Sequence, residues 1–297
     1  MKVTLWGTRG SIASPGPETV RYGGNTTCLS VETEAGDVII IDGGTGVRKL
    51  GLKLMGALPV NCNILITHTH WDHIQGLPFF IPIFVPGNSI TFHGAFDPVY
   101  NKSLKDILAG QMEYCYFPVR ESELNAAIDY KRINDGDSFE IGSAKVTAIL
   151  MNHPVLNYGY KIEADGKSFF FTGDHEPPVN IYDEGDEEYE EYQSFIDMKN
   201  DKLYDLITDI DLMVADSSYT VDEYQTKIGW GHGTFNSTLE MGRRVNAKQL
   251  VFTHHEPTRT DEELDKIYEE LLAVRKDGDP ELYIATEGHT FDLSKDD

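Results

Sequence analysis

A short segment near residue 70 holds four side chains of the types that bind metal ions. His68 and His70 stand two positions apart, and Asp72 and His73 follow them in the sequence THTHWDH. Imidazole nitrogens and carboxylate oxygens, without thiolates, suit Zn²⁺ first and also Mn²⁺ or Fe²⁺. This density of ligand types predicts a metal site, and a solvated histidine-rich turn is the weaker interpretation.

One segment cannot complete the coordination of two ions, but three further candidates follow apolar runs elsewhere in the chain. They are His153, Asp174 and His254. A consistent assignment places one ion on His68, His70 and His153 and the other on Asp72, His73 and His254, with Asp174 bridging the two. Two cations about 3.5–4 Å apart lower the pKa of a bridging water to near neutrality and hold it for in-line attack. The sequence therefore predicts a hydrolytic centre with two divalent ions.

The candidate ligands stand at or near the ends of short apolar runs, which predict the strands that must position them. The runs cover residues 38–42, 63–67, 146–151, 168–172, 212–215 and 250–253. Nearly unbroken runs rich in β-branched and aromatic residues are typical of strands covered on both faces. Apolar residues at three- and four-residue intervals predict helices over residues 103–112, 238–245 and 261–274. The pattern predicts an α/β fold, with either helix, sheet, sheet, helix layers or a single covered sheet.

Taken in chain order, these motifs resemble those of the metallo-β-lactamase superfamily, whose mark is H-x-H-x-D-H after a strand. The match begins at Asp42 in DGG and continues through THTHWDH, NHP at His153 and TGD at Asp174 to His254. The resemblance implies an αββα sandwich with a dinuclear site at the strand ends. It also implies that Asp42 orients the metal ligands.

Two later loops resemble those of a narrower branch of this superfamily. The segment WGHGT, which contains His232, resembles the GHST loop of the phosphodiesterase branch that includes tRNase Z. The histidine of that loop protonates the departing oxygen. The segment ADSS, which contains Asp216, aligns with the HEAT loop of the branch, although its acid is one methylene shorter. The resemblance implies that His232 is the general acid and Asp216 its partner, and we count Asp72 with them as catalytic.

The charge of the chain limits the substrates that this chemistry can serve. Over 297 residues, 25 Lys and Arg stand against 49 Asp and Glu, so the formal net charge is −24. Such a charge repels long nucleic acids and anionic membranes. The first hypothesis is therefore a phosphodiesterase that opens a cyclic nucleotide by attack of a metal-bridged hydroxide. The alternatives are a tRNase Z-like RNA 3′-end endonuclease and a non-catalytic metal-binding regulatory protein of the same fold.

The organisation of the chain predicts one domain. No repeat or linker divides residues 1–297, and a surface insertion is expected near residues 179–204. Residues 183–191 within it hold seven acids and no base, and we expect this stretch to be disordered or loosely helical. No signal peptide and no apolar run of about 18 residues is visible, so we expect a soluble, cytoplasmic protein. Cys28, Cys62 and Cys115 are expected to be reduced and buried. The resemblance implies a homodimer.

Several basic and histidine residues are weaker candidates. Arg9 and Arg21 are the basic residues nearest to the glycine-rich loops at 7–11 and 23–27, and could meet a substrate charge. His255 competes with His254 as the last ligand, and we expect its side chain to face substrate or solvent. His175 could reach the mouth of the site, because it follows Asp174 directly.

The glycine-rich loops and an aromatic run are also weaker candidates. Asn25 and Thr26 could offer hydrogen bonds to a phosphate, but no loop matches a nucleotide-binding fingerprint, so no nucleotide cofactor is expected. Tyr114, Tyr116 and Phe117 are expected to cover the sheet or a dimer face, and stacking on a nucleobase is the alternative.

Overall fold

The apolar runs form strands in two sheets, which this computed structural model describes over residues 1–295. Within that range the strands are β1 (Lys2–Gly7), β2 (Cys28–Glu32), β3 (Val38–Ile41), β4 (Asn61–Leu65), β5 (Ser89–Gly94), β6 (Ala127–Arg132), β7 (Ser138–Ile141), β8 (Ala144–Met151), β9 (Asn157–Ala164), β10 (Lys167–Phe171), β11 (Leu212–Asp216), β12 (Gln249–Thr253), β13 (Glu281–Ile284) and β14 (Thr290–Asp292). The first sheet has the order β14-β1-β2-β3-β4-β5-β6, and the second has the order β13-β12-β11-β10-β9-β8-β7.

Helices connect many of the strands. They are α1 (Val47–Leu54), α2 (Trp71–Ile74), α3 (Leu104–Gln111), α4 (Tyr189–Leu206), α5 (Val221–Tyr224), α6 (Phe235–Arg244) and α7 (Asp261–Ala273), with 3₁₀ turns at Leu77–Phe79, Ile81–Phe84 and Glu121–Glu123. Helices α1 and α3 contact the first sheet, and α6 and α7 contact the second. The layers are therefore helix, sheet, sheet, helix, which confirms the predicted αββα class and excludes a single covered sheet.

The unbroken apolar runs are explained by burial on both faces of the strands. In β10, Phe169 and Phe171 pack into the core between the sheets, whereas Phe170 packs on the opposite side with α6 and α7. In β3, Ile41 joins the central core, whereas Ile40 joins the outer core beneath the helices of the first sheet. Successive side chains of a strand point to opposite faces, so a strand between two layers needs apolar residues throughout.

The topology brings several polar strand ends to one edge of the sandwich. Strands β10, β11 and β12 are parallel neighbours, and β8 runs in the same direction because both β8 and β10 are antiparallel to β9. The end of β4 is tied to the other sheet, since the Tyr160 hydroxyl donates to the Ile66 carbonyl at 2.7 Å and the Tyr158 N–H donates to the Thr67 carbonyl at 3.0 Å. Residues that follow these strands therefore meet.

One expectation about the periphery, the burial of Cys115, is wrong. Within the segment near residues 179–204, residues 183–188 form neither helix nor strand, and α4 begins at Tyr189. Leu203 of α4 packs in the outer core of the second sheet, and Ile196 is also buried. Cys28 and Cys62 are buried as predicted, but Cys115 is exposed, because it lies in the loop after α3 rather than in a strand. Among residues 1–295, no helix has the length and apolar character needed to cross a membrane.

Candidate metal centre and acid–base pair

The structure brings all seven candidate ligands into one cluster at the edge described above. Their ligand atoms fall into two groups, and within each group these atoms lie within 4.8 Å of one another. The groups are His68, His70, His153 and Asp174, and Asp72, His73, Asp174 and His254. This is the division proposed from the sequence, with Asp174 common to both groups.

Local backbone geometry delivers four of these side chains from one segment. His68 follows the end of β4, His70 is the extended residue before the first turn of α2, and Asp72 and His73 lie in that turn. Successive side chains leave an extended backbone and a helical turn in different directions. The segment can therefore contribute to both groups.

Asp174 lies at the centre of the cluster. Its Oδ1 is 3.2 Å from Nε2 of both His73 and His254, and its Oδ2 is 3.4 Å from Nε2 of His68 and 3.9 Å from Nε2 of His153. One carboxylate thus faces imidazoles of both groups, which is the arrangement that a bridging ligand requires.

Buried polar atoms without partners test whether the cluster fits metal ions. Among the described residues, His68 Nε2, His73 Nε2 and Asp174 Oδ1 are buried and lack a hydrogen-bond partner of good geometry. Such atoms are costly unless another group satisfies them. All three point into the cluster, and their imidazole and carboxylate chemistry suits divalent ions. The residues present therefore fit a metal centre.

The titration of the cluster agrees with this fit. Burial, followed by the neighbouring imidazole of His73, holds the pKa of His68 well below its usual value, so the ring is neutral and able to ligate. Burial also disfavours charge on His73, yet the surrounding carboxylates outweigh it and raise the pKa of His73. The carboxylates around His73 therefore favour positive charge at this position.

Asp42 orients one of the candidate ligands. Its Oδ2 lies 2.7 Å from Nδ1 of His73, and its carboxylate also accepts bonds from the backbone N–H and the hydroxyl of Thr67, both at 2.8 Å. Asp42 is fully buried with a left-handed backbone (φ 59°). A carboxylate on Nδ1 keeps the proton there and leaves Nε2 free for a metal ion.

Two contacts that the sequence did not reveal support the second group. The N–H of Ser11 donates to Oδ2 of Asp72 at 2.7 Å. The hydroxyl of Ser218 lies 3.0 Å from Nδ1 of His254 and donates to Oδ1 of Asp216 at 2.9 Å. The His254 backbone is left-handed (φ 62°), and Gly10 lies so close to its ring that a Cβ there would sit 2.2 Å from it. The loop at 7–11 therefore supports the cluster directly.

His232 and Asp216 form a bonded pair beside the cluster. Nδ1 of His232 lies 2.8 Å from Oδ2 of Asp216 and 3.9 Å from Oδ2 of Asp174. Burial lowers the pKa of His232, but the adjacent Asp216 carboxylate outweighs it and raises that pKa to about 9. The shorter acid thus still reaches the imidazole, and the ring is protonated near pH 7.

Glu176 holds the loop that carries His232, and the sequence reasoning missed it. Its two oxygens accept the N–H groups of Gly229 and Gly231, each at 2.7 Å, and the hydroxyl of Tyr224. The carbonyl of Gly231 in turn accepts from Nδ1 of His153 at 2.9 Å. These partners are 48 to 55 residues from Glu176 in sequence, so no local pattern marks the residue.

A cleft of about 780 Å³ adjoins the first ligand group. Its walls are the loop at residues 95–100, the end of β8 with the loop at residues 152–156, and one side of α4. His68 and His153 lie in its lining, and so does His175, which is nearly buried and accepts from the N–H of Asn152. We call this feature the apolar cleft.

Some weaker candidates lie elsewhere. His255 does not face substrate or solvent, because its side chain is fully buried and its Nε2 bonds the Ala285 carbonyl. Arg9 is not available to a substrate either, since it is fully buried and donates to the carbonyls of Gly23, Glu256 and Arg259. The sequence does not show which of two adjacent histidines in a turn faces the site, as with His254 and His255. It also does not show how deeply a loop residue such as Arg9 is buried.

The remaining weaker candidates are also engaged by the protein. Arg21 pairs with Asp265 on α7, at 2.6 Å. Asn25 donates through its side chain to Glu287, a carboxylate, so the loop does not present that amide to a phosphate. Phe117 packs on Phe79, in agreement with the predicted covering role. None of the three aromatic residues of the run at 114–117 lines the apolar cleft over the described chain.

Comparisons with known proteins agree with this geometry. The model of a family described as the beta-lactamase superfamily domain matches residues 38–255. A ribonuclease Z of Staphylococcus aureus is 25% identical over 305 residues, which covers 92% of this chain and 94% of that protein.

Solved structures share the fold over almost the whole chain. The metallo-beta-lactamase fold protein YhfI of Bacillus subtilis superposes with a TM-score of 0.66 at 17% identity, covering 98% of this chain and 99% of that one. The short form of human tRNase Z superposes with a TM-score of 0.65 at 19% identity, covering 99% of each chain.

The role of Asp42 can be tested by Asp42→Asn. The amide keeps an acceptor for the Thr67 backbone N–H but offers its own N–H to Nδ1 of His73, which favours the tautomer whose proton blocks Nε2. We expect a 10- to 100-fold loss of Zn²⁺ affinity, measured by competition with a chromogenic chelator. The surface substitution Asp292→Asn is the control. Equal affinities in both variants would refute the orienting role.

Proposed function

Because the chain belongs to the metallo-β-lactamase superfamily of hydrolases, we propose that it is a metal-dependent phosphodiesterase whose substrate is a small phosphodiester, namely a cyclic nucleotide. The observation that carries the proposal is the bonded pair of His232 and Asp216 beside the metal centre. A metal centre alone suits many hydrolases, whereas a protonated imidazole placed beside it suits the expulsion of an alkoxide.

We assign two divalent ions, with zinc first, to the two ligand groups that share Asp174. When bound, such ions activate a water for attack and neutralise charge on the phosphate. The protein supplies the neutral imidazoles, the shared carboxylate and the bonds from Asp42, Ser11 and Ser218 that keep the ligands in place. Asp72 serves as a ligand whose carboxylate is oriented by the backbone of Ser11.

His232 supplies the proton to the departing oxygen. Its Nδ1 faces Asp216 at 2.8 Å, so Nε2 is the nitrogen that exchanges a proton with substrate. Asp216 itself is buried and held by Ser218 and by the N–H of His175 at 3.0 Å, which fixes the direction of the ring. The stacked ring of His254, with centroids 4.7 Å away, limits its other motion.

Charge near the site favours a small substrate over an RNA. The seven acids between residues 183 and 191 lie between Pro178 and Tyr192, and both of those residues line the apolar cleft. A polyanion would approach this acidic segment with many phosphates, whereas a cyclic nucleotide carries one charge that the centre itself attracts. The net charge of −24 over the whole chain also repels a long polyanion.

A tRNase Z-like RNA 3′-end endonuclease is the second candidate function. It is favoured by the ribonuclease Z of Staphylococcus aureus, which is 25% identical over 92% of this chain. The proposed chemistry of the centre is the same for both, so the two candidates differ in substrate size.

A homodimer and a cytoplasmic location also stay predictions. Light scattering in solution tests the homodimer.

The general-acid role of His232 can be tested by His232→Ala. The residue donates a proton but is not assigned as a metal ligand, so turnover should fall about 10²- to 10⁴-fold while the metal content stays at about two ions per chain. Steady-state kinetics and elemental analysis of the same preparation measure both. His289→Ala, which alters an exposed histidine, is the control. Unchanged turnover in His232→Ala would remove the role.

The positioning role of Glu176 can be tested by Glu176→Gln. The amide cannot accept both backbone N–H groups of the loop, so His232 should lose its fixed direction. We expect kcat to fall about tenfold or more with a smaller change in KM, because positioning acts on the proton transfer rather than on binding. Glu184→Gln, an exposed acid in the acidic segment, is the control. A rise in KM alone would contradict the assignment.

The substrate class can be tested with a panel on the zinc-loaded protein. The panel contains 2′,3′- and 3′,5′-cyclic nucleotides, bis-p-nitrophenyl phosphate, precursor tRNA, a lactam and a thioester. We expect cleavage of bis-p-nitrophenyl phosphate and of at least one cyclic nucleotide, with precursor tRNA uncut. Rapid cleavage of precursor tRNA with inert cyclic nucleotides would establish the second candidate instead.

A further inference from the structure

We propose that the apolar cleft is the binding site for the organic group of the substrate, and that this group is an aromatic ring system. The inference rests on the proposed phosphodiesterase function and adds the chemistry by which a substrate is selected. Pockets that bury a small molecule are commonly about 300–1,000 Å³, and the cleft, at about 780 Å³, falls within that range.

The cleft is continuous with the metal centre. His68 and His153 belong both to the first ligand group and to the cleft lining. Neither His232 nor Asp216 lines the cleft. A phosphate held at the metal centre therefore has one side toward His232, the proton donor. Its other side is open to the apolar cleft, and an ester group of the substrate can extend into it.

The walls of the cleft expose apolar side chains that are uncovered in the described chain. Val99 and Tyr100 on one wall are 80% and 75% exposed, and Phe195 and Leu206 on α4 are 43% and 38% exposed. Val155, on the third wall, is 41% exposed. Contiguous exposed apolar surface next to a polar centre is typical of a ligand site. A strand of nucleic acid would place charged phosphates against these walls, which is unfavourable.

The polar groups of α4 fit an anionic molecule with an aromatic part. Lys199 lines the cleft, and its ammonium lies 4.5 Å from the centre of the Phe195 ring. An ammonium beside an aromatic ring can attract the phosphodiester charge while the ring packs on the organic group. Lys202 also lines the cleft, 3.9 Å from the carboxylate of Asp135, and Asp97 lies in the same lining. The cleft therefore combines an apolar surface with the ammonium of Lys199 beside the Phe195 ring.

The experiment compares two p-nitrophenyl phosphodiesters whose other ester group differs. One carries a methyl group and the other a 1-naphthyl group, so both release the same p-nitrophenolate. The cleft variant is the double substitution Phe195→Gln and Leu206→Gln. The matched control is Met198→Gln and Leu272→Gln, which changes two exposed apolar residues on helices outside the cleft lining. Zinc content and melting temperature are measured for every preparation.

In the unsubstituted protein we expect kcat/KM for the naphthyl ester to exceed that for the methyl ester at least tenfold. In the cleft variant this ratio should fall at least fivefold, mainly through KM, and in the control it should stay unchanged. Equal kcat/KM values for both esters in the unsubstituted protein, or equal losses for both esters in the cleft variant, would overturn the proposal.

A binding measurement separates failure of this proposal from failure of the proposed function. Fluorescence titration with 1-naphthyl phosphate reports occupancy of the cleft without turnover. Binding that weakens at least fivefold in the cleft variant alone supports the cleft even if neither diester is hydrolysed, in which case only the phosphodiesterase assignment fails. Hydrolysis without such a difference refutes the cleft alone. If the cleft variant changes the molar mass in light scattering but not the affinity, a second copy covers the cleft and the proposal is wrong.

Discussion

The carboxylate of Asp174 is the constraint on which the rest of the site depends. It lies within 3.9 Å of the imidazole nitrogens of four histidines from three different parts of the chain, and it is almost fully buried. Such a carboxylate is unfavourable in a protein interior unless positive charge faces it. The two sheets must therefore meet at an edge where several strand ends can deliver partners at once. The αββα layers achieve this because β8, β10, β11 and β12 run in one direction.

A second set of buried bonds keeps those partners in place. Asp42 acts on His73, Ser11 on Asp72, and Ser218 on His254, each at hydrogen-bond distance. Two of the backbone positions involved, Asp42 and His254, have left-handed conformations that non-glycine residues adopt rarely. Strain of this kind persists only where the surroundings determine the geometry, and it occurs often at functional sites. The support of the ligands thus involves the core as well as the loops.

The metal centre has polar residues on one side and apolar residues on another. One side has the polar pair of His232 and Asp216, held in place by Glu176 through the loop that precedes His232. Another side has the apolar cleft, which reaches from His153 to the residues of α4. The acidic segment at residues 183–191, which runs into the first turn of α4, adds repulsion toward long polyanions. The proton-donor pair and the apolar walls of the cleft are thus separate sets of residues, whereas His68 and His153 belong to both the centre and the cleft lining.

The sequence by itself determined the types and order of the candidate ligands and most of the strands that position them. Both are local signals, because an apolar run followed by polar residues, or the motif THTHWDH, is complete within a few positions. It also limited the chemistry, since a set of imidazoles and carboxylates without thiolates suits only some ions. The αββα arrangement came from the resemblance, because periodicity alone did not separate it from a single covered sheet.

Only the tertiary structure decided which residues support the ligands and what surrounds them. His254 and His255 are neighbours in sequence, but their side chains point to different places. The left-handed backbone at His254 turns the His254 ring into the cluster, and the His255 ring is bonded to the Ala285 carbonyl. Arg9 is a buried clamp on three carbonyls, and Glu176 binds a loop about fifty residues away. The acidic segment leads into a regular helix that lines the cleft. Each of these outcomes depends on contacts between distant parts of the chain, and such contacts form only when the layers pack.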